Sequence, residues 1–123
     1  MSENREHKRK ETNAHIGIYD LESNRLIGCL IDLTIVGMRV MVESEAKPGC
    51  QLGFSLMLPL EINNLRRLKI EAECVWCNIS SDPKFYSVGF KFLNITDEII
   101  DTIVKLLESP AFKEIKMVQS TPV

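Results

Sequence analysis

Between residues 14 and 92 the apolar residues return at every second position in short runs, and this period of two constrains the fold more than any other feature. Ala14, Ile16 and Ile18 form one set. Leu26, Gly28, Leu30 and Asp32 share a side, with Ile27, Cys29 and Ile31 on the other, and Met38, Val40 and Val42 resume after Gly37. Cys50, Leu52, Phe54, Leu56 and Leu58 follow, closed by Pro59. Ile70, Ala72, Cys74 and Trp76 are expected to point inward opposite Glu71 and Glu73, and Tyr86, Val88, Phe90 and Phe92 complete the series. Turn chemistry separates the runs at Asp20-Leu21-Glu22-Ser23-Asn24, Lys47-Pro48-Gly49, Asn63-Asn64 and Ser80-Ser81-Asp82-Pro83. Short strands with close turns and no helix between them predict an antiparallel sheet closed into a small barrel or a sandwich.

The period becomes helical at Thr96. A threonine can cap a helix, Asp97 and Glu98 place negative charge in the first turn, and Ile99, Ile100, Ile103, Val104, Leu106 and Leu107 line one face. Ser109-Pro110 either stops this helix or starts another, and Phe112, Ile115 and Val118 extend the apolar side, so a helical region over about 96–118 is expected. Its simplest use is to cover an open end of the barrel or one sheet face.

At 123 residues the chain is the size of one domain. No apolar run approaches the ~20 residues that a bilayer needs, so membrane insertion is not expected. The N-terminus is polar and lacks the apolar stretch of a secretory signal, which points to the cytoplasm, where four cysteines stay as thiols. The net charge of −2 conceals an uneven division. Residues 1–11 hold Arg5, Lys8, Arg9 and Lys10 against Glu3, Glu6 and Glu11, so the remaining 112 residues are acidic overall. An acidic body has no footprint for duplex nucleic acid. An oligonucleotide-binding barrel would need exposed aromatics and a basic groove, and Trp76 is expected inside.

Cys74-Val75-Trp76-Cys77 has the spacing of half a zinc or redox site. In a regular strand, however, positions 74 and 77 point to opposite faces, and no turn residue supplies a knuckle, so these cysteines read as structural and no metal is expected. No Gly-x-Ser-x-Gly elbow, His-Glu-x-x-His or Gly-rich phosphate loop is present, and the chain does not read as an enzyme. Two other signals carry chemistry. Arg5 and Arg9 stand four apart, on one side of an extended or helical segment, and a guanidinium can fork onto phosphate, stack on a nucleobase or donate to guanine O6 and N7. Asp32-Leu33-Thr34-Ile35-Val36-Gly37 interrupts a strand with polar groups. A carboxylate there can accept from guanine N1–H and N2–H, and Gly37 allows a close backbone approach; taken alone, the same segment reads as an Asp/Thr turn with a glycine bulge.

In order and spacing these residues resemble the bacterial PilZ domains, receptors for cyclic di-GMP. Arg5-Glu6-His7-Lys8-Arg9 is similar to the family's Arg-x-x-x-Arg arm, and Asp32-Leu33-Thr34-Ile35-Val36-Gly37 to its Asp/Asn-x-Ser-x-x-Gly, with threonine for serine. A strand ending in Val75-Trp76, then Val88-Gly89-Phe90-Lys91-Phe92, then a terminal helix follow in the family's order. The resemblance implies a mainly β fold, a six-stranded antiparallel barrel of the PilZ type with a C-terminal helix. It implies an arm over residues 1–12 that clamps ligand, and a single barrel-plus-helix domain over 13–123. By the same resemblance Arg5 and Arg9 would grip phosphate and stack on guanine, Asp32 and Thr34 would hold a guanine edge, Gly37 would shape the loop, and Lys8 or Lys10 would add contacts. The implied ligand is cyclic di-GMP, with no further cofactor, and the implied output is a changed surface offered to an effector protein. The other reading is a PilZ-like interaction module of pilus or motility machinery that binds no nucleotide.

Overall fold

The structure is a computed structural model that describes residues 10–12 and 15–114. The described elements are β1 (Lys10–Thr12), β2 (Gly17–Asp20), β3 (Leu26–Leu33), β4 (Gly37–Val42), β5 (Gln51–Ile62), β6 (Leu65–Ile79), β7 (Tyr86–Leu93), α1 (Asp97–Leu107) and β8 (Phe112–Glu114). Every strand pairing is antiparallel. Because β2 pairs with both β3 and β5, the order β2-β5-β6-β7-β4-β3 closes into the expected six-stranded barrel. β1 docks on β3 beyond β2, and β8 docks on β1.

The interior is filled by the residues that the period of two assigns to it. Ile16, Ile18, Val40, Phe54, Leu56, Ala72, Cys74 and Val88 have no exposure, and the Phe54 ring meets Phe90 edge-on at 4.9 Å. β5 does not end at Pro59. It passes through an irregularity after Met57 and regains pairing at Ile62 opposite Leu65, so the hairpin to β6 turns at Asn63-Asn64 with both residues at positive φ (53° and 66°).

Two bulges change which side chains face inward. In β3 the pairing moves from Leu30↔Val40 to Asp32↔Arg39, leaving Ile31 as the extra residue. Leu33 therefore enters the core, and Asp32 does not continue the face of Gly28 and Leu30 as expected but joins Arg39 on the outer surface. In β6 Cys74↔Phe90 is followed by Trp76↔Gly89, with Val75 extra. This turns Trp76 outward, 37% exposed, against the inward placement expected from strict alternation.

The second bulge also corrects the cysteine geometry. Cys77 lies opposite buried Val88, so Cys74 and Cys77 are on the same, interior side of β6. Among the described residues no group of three His, Cys, Asp or Glu side chains could hold a metal. Burial, reinforced by the neighbouring Cys77 and Cys50, pushes the Cys74 thiol up from its ordinary range. Thiolate is the reactive form, so alkylation of native protein at pH 8 should label exposed Cys50 first and Cys74 only on unfolding, as peptide mass spectrometry would read.

Thr96 caps α1 as expected, its Oγ1 accepting from the Ile99 amide at 3.2 Å. The helix packs against β5, β6 and β8, with Ile103 and Leu106 fully buried. Asn63 ties it to the β5–β6 turn: its side-chain amide donates to Asp101 and to Thr102 Oγ1, each at 3.0 Å, and its carbonyl accepts from Lys105. The helix ends at Leu107 and does not run on to 118. Pro110 has no amide to continue the ladder, the Leu106 carbonyl is taken by the Ser109 amide and hydroxyl, and the chain then turns into β8. No described helix is long and apolar enough to cross a membrane.

Candidate functional site

The β3 and β6 bulges act together on one rung of the barrel's outer face. Reading across four strands, Asp32 on β3 lies opposite Arg39 on β4, Arg39 opposite Gly89 on β7, and Gly89 opposite Trp76 on β6. A cleft of about 150 Å³ follows this rung, lined by Asp32, Thr34, Gly37, Arg39, Trp76 and Gly89 among others. Gly89 has to be glycine here because the indole lies on it: a Cβ would stand 2.2 Å from Trp76 Nε1. The chain has one tryptophan, so its fluorescence reports on this cleft. Gly89→Ala should displace the indole from its seat, shifting the emission maximum and reducing the near-UV circular dichroism of the folded protein.

Asp32 is nearly buried, and its Oδ2 meets Arg39 Nη2 at 2.7 Å. Side-chain exposure is 32% for Arg39 and 5% for Asp32. The pair sits where a carboxylate would otherwise lose its hydration without compensation, and the guanidinium supplies an ion-pair contact in its place.

Thr34 and Gly37 form the turn beside this pair. The Thr34 hydroxyl oxygen accepts from the amides of Val36 and Gly37, each at 3.1 Å, while the hydroxyl donates to the Gly37 carbonyl at 3.3 Å. Its geometry is that of a turn-building hydroxyl. Gly37 provides close approach: a Cβ would stand 2.4 Å from the Phe90 carbonyl oxygen, which belongs to backbone and cannot step aside.

Of the residues singled out by sequence, the structure brings Asp32, Thr34 and Gly37 together on one cleft. Arg5, Lys8 and Arg9 lie outside the described residues. Lys10 falls within the arm expected over 1–12, yet its backbone is in β1, opposite Leu33, with Glu11 opposite Asp32. The chain that follows Arg9 is thus held in the sheet next to the cleft. Arg39, Gly89 and Trp76 complete the site and were missed by sequence reasoning, because only the bulges place them on one rung. A larger cavity of about 780 Å³ opens at the barrel end away from α1, bordered by Asp20, Arg25, Glu43, Glu45, Lys47 and Phe54, and contains none of the motif residues.

A family model described as the PilZ domain matches residues 3–109, nearly the whole chain. The chain is a PilZ domain. Solved structures share its fold at low identity. The PilZ domain with c-di-GMP of YcgR from Escherichia coli has a TM-score of 0.62 at 14% identity, covering 81% of this chain and 86% of that one. The Bacillus subtilis inhibitor of motility MotI/DgrA has a TM-score of 0.63 at 16% identity, covering 85% of this chain and 52% of that one. YcgR in complex with c-di-GMP, from Escherichia coli, scores 0.61 at 15% identity, covering 82% and 43% respectively. This PilZ domain therefore spans about half or less of those two longer chains. No curated protein sequence matches it.

Proposed function

We propose that this PilZ domain is a receptor and adaptor, without catalytic activity, that binds cyclic di-GMP between residues 1–9 and the outer barrel face and passes the signal to an effector protein. The observation that carries the reading is the juxtaposition of the Asp32-to-Gly37 turn with Arg39 and Trp76 on one cleft, at the place where β1 joins the sheet. A ligand of two guanines and two phosphates asks for donors, a carboxylate and an aromatic surface, and the rung presents all three kinds of group. Size supports the arm's part in this. Small-molecule pockets run to about 300–1,000 Å³, whereas the cleft offers about 150 Å³. The barrel face is one wall, and Arg5 and Arg9 supply the other, with Lys8 and Lys10 adding charge.

Binding that holds residues 1–9 against the cleft changes the surface that the barrel shows to a partner. The free thiols suit a cytoplasmic setting. Similarity to PilZ structures that hold c-di-GMP favours this reading over an interaction module without ligand. Titration of purified protein with cyclic di-GMP by calorimetry, with Trp76 emission followed in parallel, should give saturable heat and a matching fluorescence change. No heat at high micromolar ligand overturns the proposal.

A further inference from the structure

Three of the four thiols gather where β5 begins, and two of them stand across the ladder from one another. One rung beyond Gln51↔Glu73, the Cys50 carbonyl accepts from the Cys74 amide at 2.9 Å. The Cys74 carbonyl accepts from the Gly49 amide at 2.7 Å, and the Cys50 amide closes the turn onto the Lys47 carbonyl at 3.0 Å. Gly49, at a φ of 94°, is therefore the extra residue of a bulge, and Cys50 stays paired with Cys74. Gln51 and Glu73 meet through their side chains on the outer face, so alternation places both sulfurs of the next rung on the interior side. Opposed residues of an antiparallel pair have Cα atoms about 5.5 Å apart, within the span of about 4.4–6.8 Å that a disulfide bridges. Cys77 shares that face, but three residues of strand, roughly 10 Å, separate it from Cys74. Its sulfur instead accepts from the Ala46 amide at 3.4 Å.

We propose that Cys50 and Cys74 form a thiol–disulfide exchange site, at which a low-molecular-weight disulfide is reduced while β5 and β6 become cross-linked. The Cys50 thiolate attacks one sulfur of the small disulfide, forming a mixed disulfide and releasing a first small thiolate. The Cys74 sulfur, its proton lost to water, then attacks the Cys50 sulfur, closing the Cys50–Cys74 bond and releasing the second. Two protein thiols are oxidised and one small disulfide is reduced to two thiols. Exposure divides the roles: Cys50 is exposed and borders the 780 Å³ cavity, whereas Cys74 has no exposure and acts only from within. Burial, which holds the Cys74 thiol protonated, agrees with Cys50 reacting first. Closure also withdraws the Cys74 S–H that donates to the Trp76 carbonyl at 3.5 Å, on the residue whose indole lines the outer cleft.

Reduced full-length protein incubated with oxidised glutathione, quenched with acid and mapped by non-reducing peptide mass spectrometry tests this without cyclic di-GMP, so the result is independent of the receptor reading. Wild type should lose the mass of two hydrogens, fragmentation should place the bond between Cys50 and Cys74, and dithiothreitol should reverse it. Cys77→Ser should form the same bond. Cys74→Ala should stop with one glutathione on Cys50, the mixed disulfide that has no second sulfur to resolve it. The Trp76 emission maximum should shift on closure and return on reduction. A bond joining Cys77 to either of the other two, a glutathione that persists on Cys50 of wild type, or a Cys50 that does not react overturns the proposal. The bond is mapped on wild type, so it is decided even where Cys74→Ala does not fold. A linked product whose emission maximum is unchanged overturns the connection to the cleft.

Discussion

Phe54→Ala is expected to lower the stability of the barrel by about 3–5 kcal/mol, the range for a buried phenylalanine cut back to a methyl group. Phe54 has no exposure, sits on β5 between Ile70 and Asp20 of the flanking strands, and packs edge-on against Phe90. Truncation removes the ring's burial and one half of the aromatic pair. Because Phe54 also borders the 780 Å³ cavity at the barrel mouth, part of the void joins space that solvent already reaches, which places the loss toward the lower end of the range. For a domain of this length that corresponds to a fall in Tm of roughly 10–20 °C. Urea and thermal unfolding would measure it. A loss below about 1 kcal/mol would mean that the barrel interior is not packed as described. Leu52 on the same strand is 37% exposed, and Leu52→Ala serves as the internal contrast.

The Arg5→Ala/Arg9→Ala double variant is expected to bind cyclic di-GMP too weakly for calorimetric detection. Removing one member of a desolvated charge contact costs about 2–5 kcal/mol, roughly 30-fold or more in affinity, and two such losses carry a micromolar complex beyond the accessible range. Both positions precede β1, so Tm should stay within about 2 °C of wild type, which separates lost recognition from lost folding. The Asp32-to-Gly37 turn is left intact in this variant and tests whether the barrel face holds ligand unaided. Wild-type affinity in the double variant would remove Arg5 and Arg9 from the mechanism and leave the barrel face as the binding site.

The barrel was legible in the sequence because alternation survives over stretches of each strand from β2 to β7, and because Asn63-Asn64, Lys47-Pro48-Gly49 and Asp82-Pro83 punctuate it with turn chemistry. The helix start was equally plain from Thr96, and its end was ambiguous until Ser109-Pro110 was seen to turn the chain into β8. β1 and β8, three residues each, are too short to show a period. The bulges at Ile31 and Val75 have no compositional marker, since neither is glycine, and each advances the alternation by one residue. That single step accounts for the misplacement of Asp32's face, of Trp76 and of Cys77. The motif residues Asp32, Thr34 and Gly37 could be found by spacing alone. Arg39 and Gly89 could not, because their part in the site is a matter of register between strands distant in sequence.

β1 and β2 lie side by side along one edge of β3, β2 against Leu26–Cys29 and β1 against Asp32 and Leu33, while β4 holds the other edge. The barrel's closing seam and the anchorage of residues 1–9 are thus successive stretches of one hydrogen-bonded margin. β1 is held by two register pairs to β3 and three to β8, and the seam that follows it by three pairs of β2 to β3. The cleft and the barrel's closing seam thus share one strand, β3, whose other end leads to the β2–β3 turn at the far mouth of the barrel.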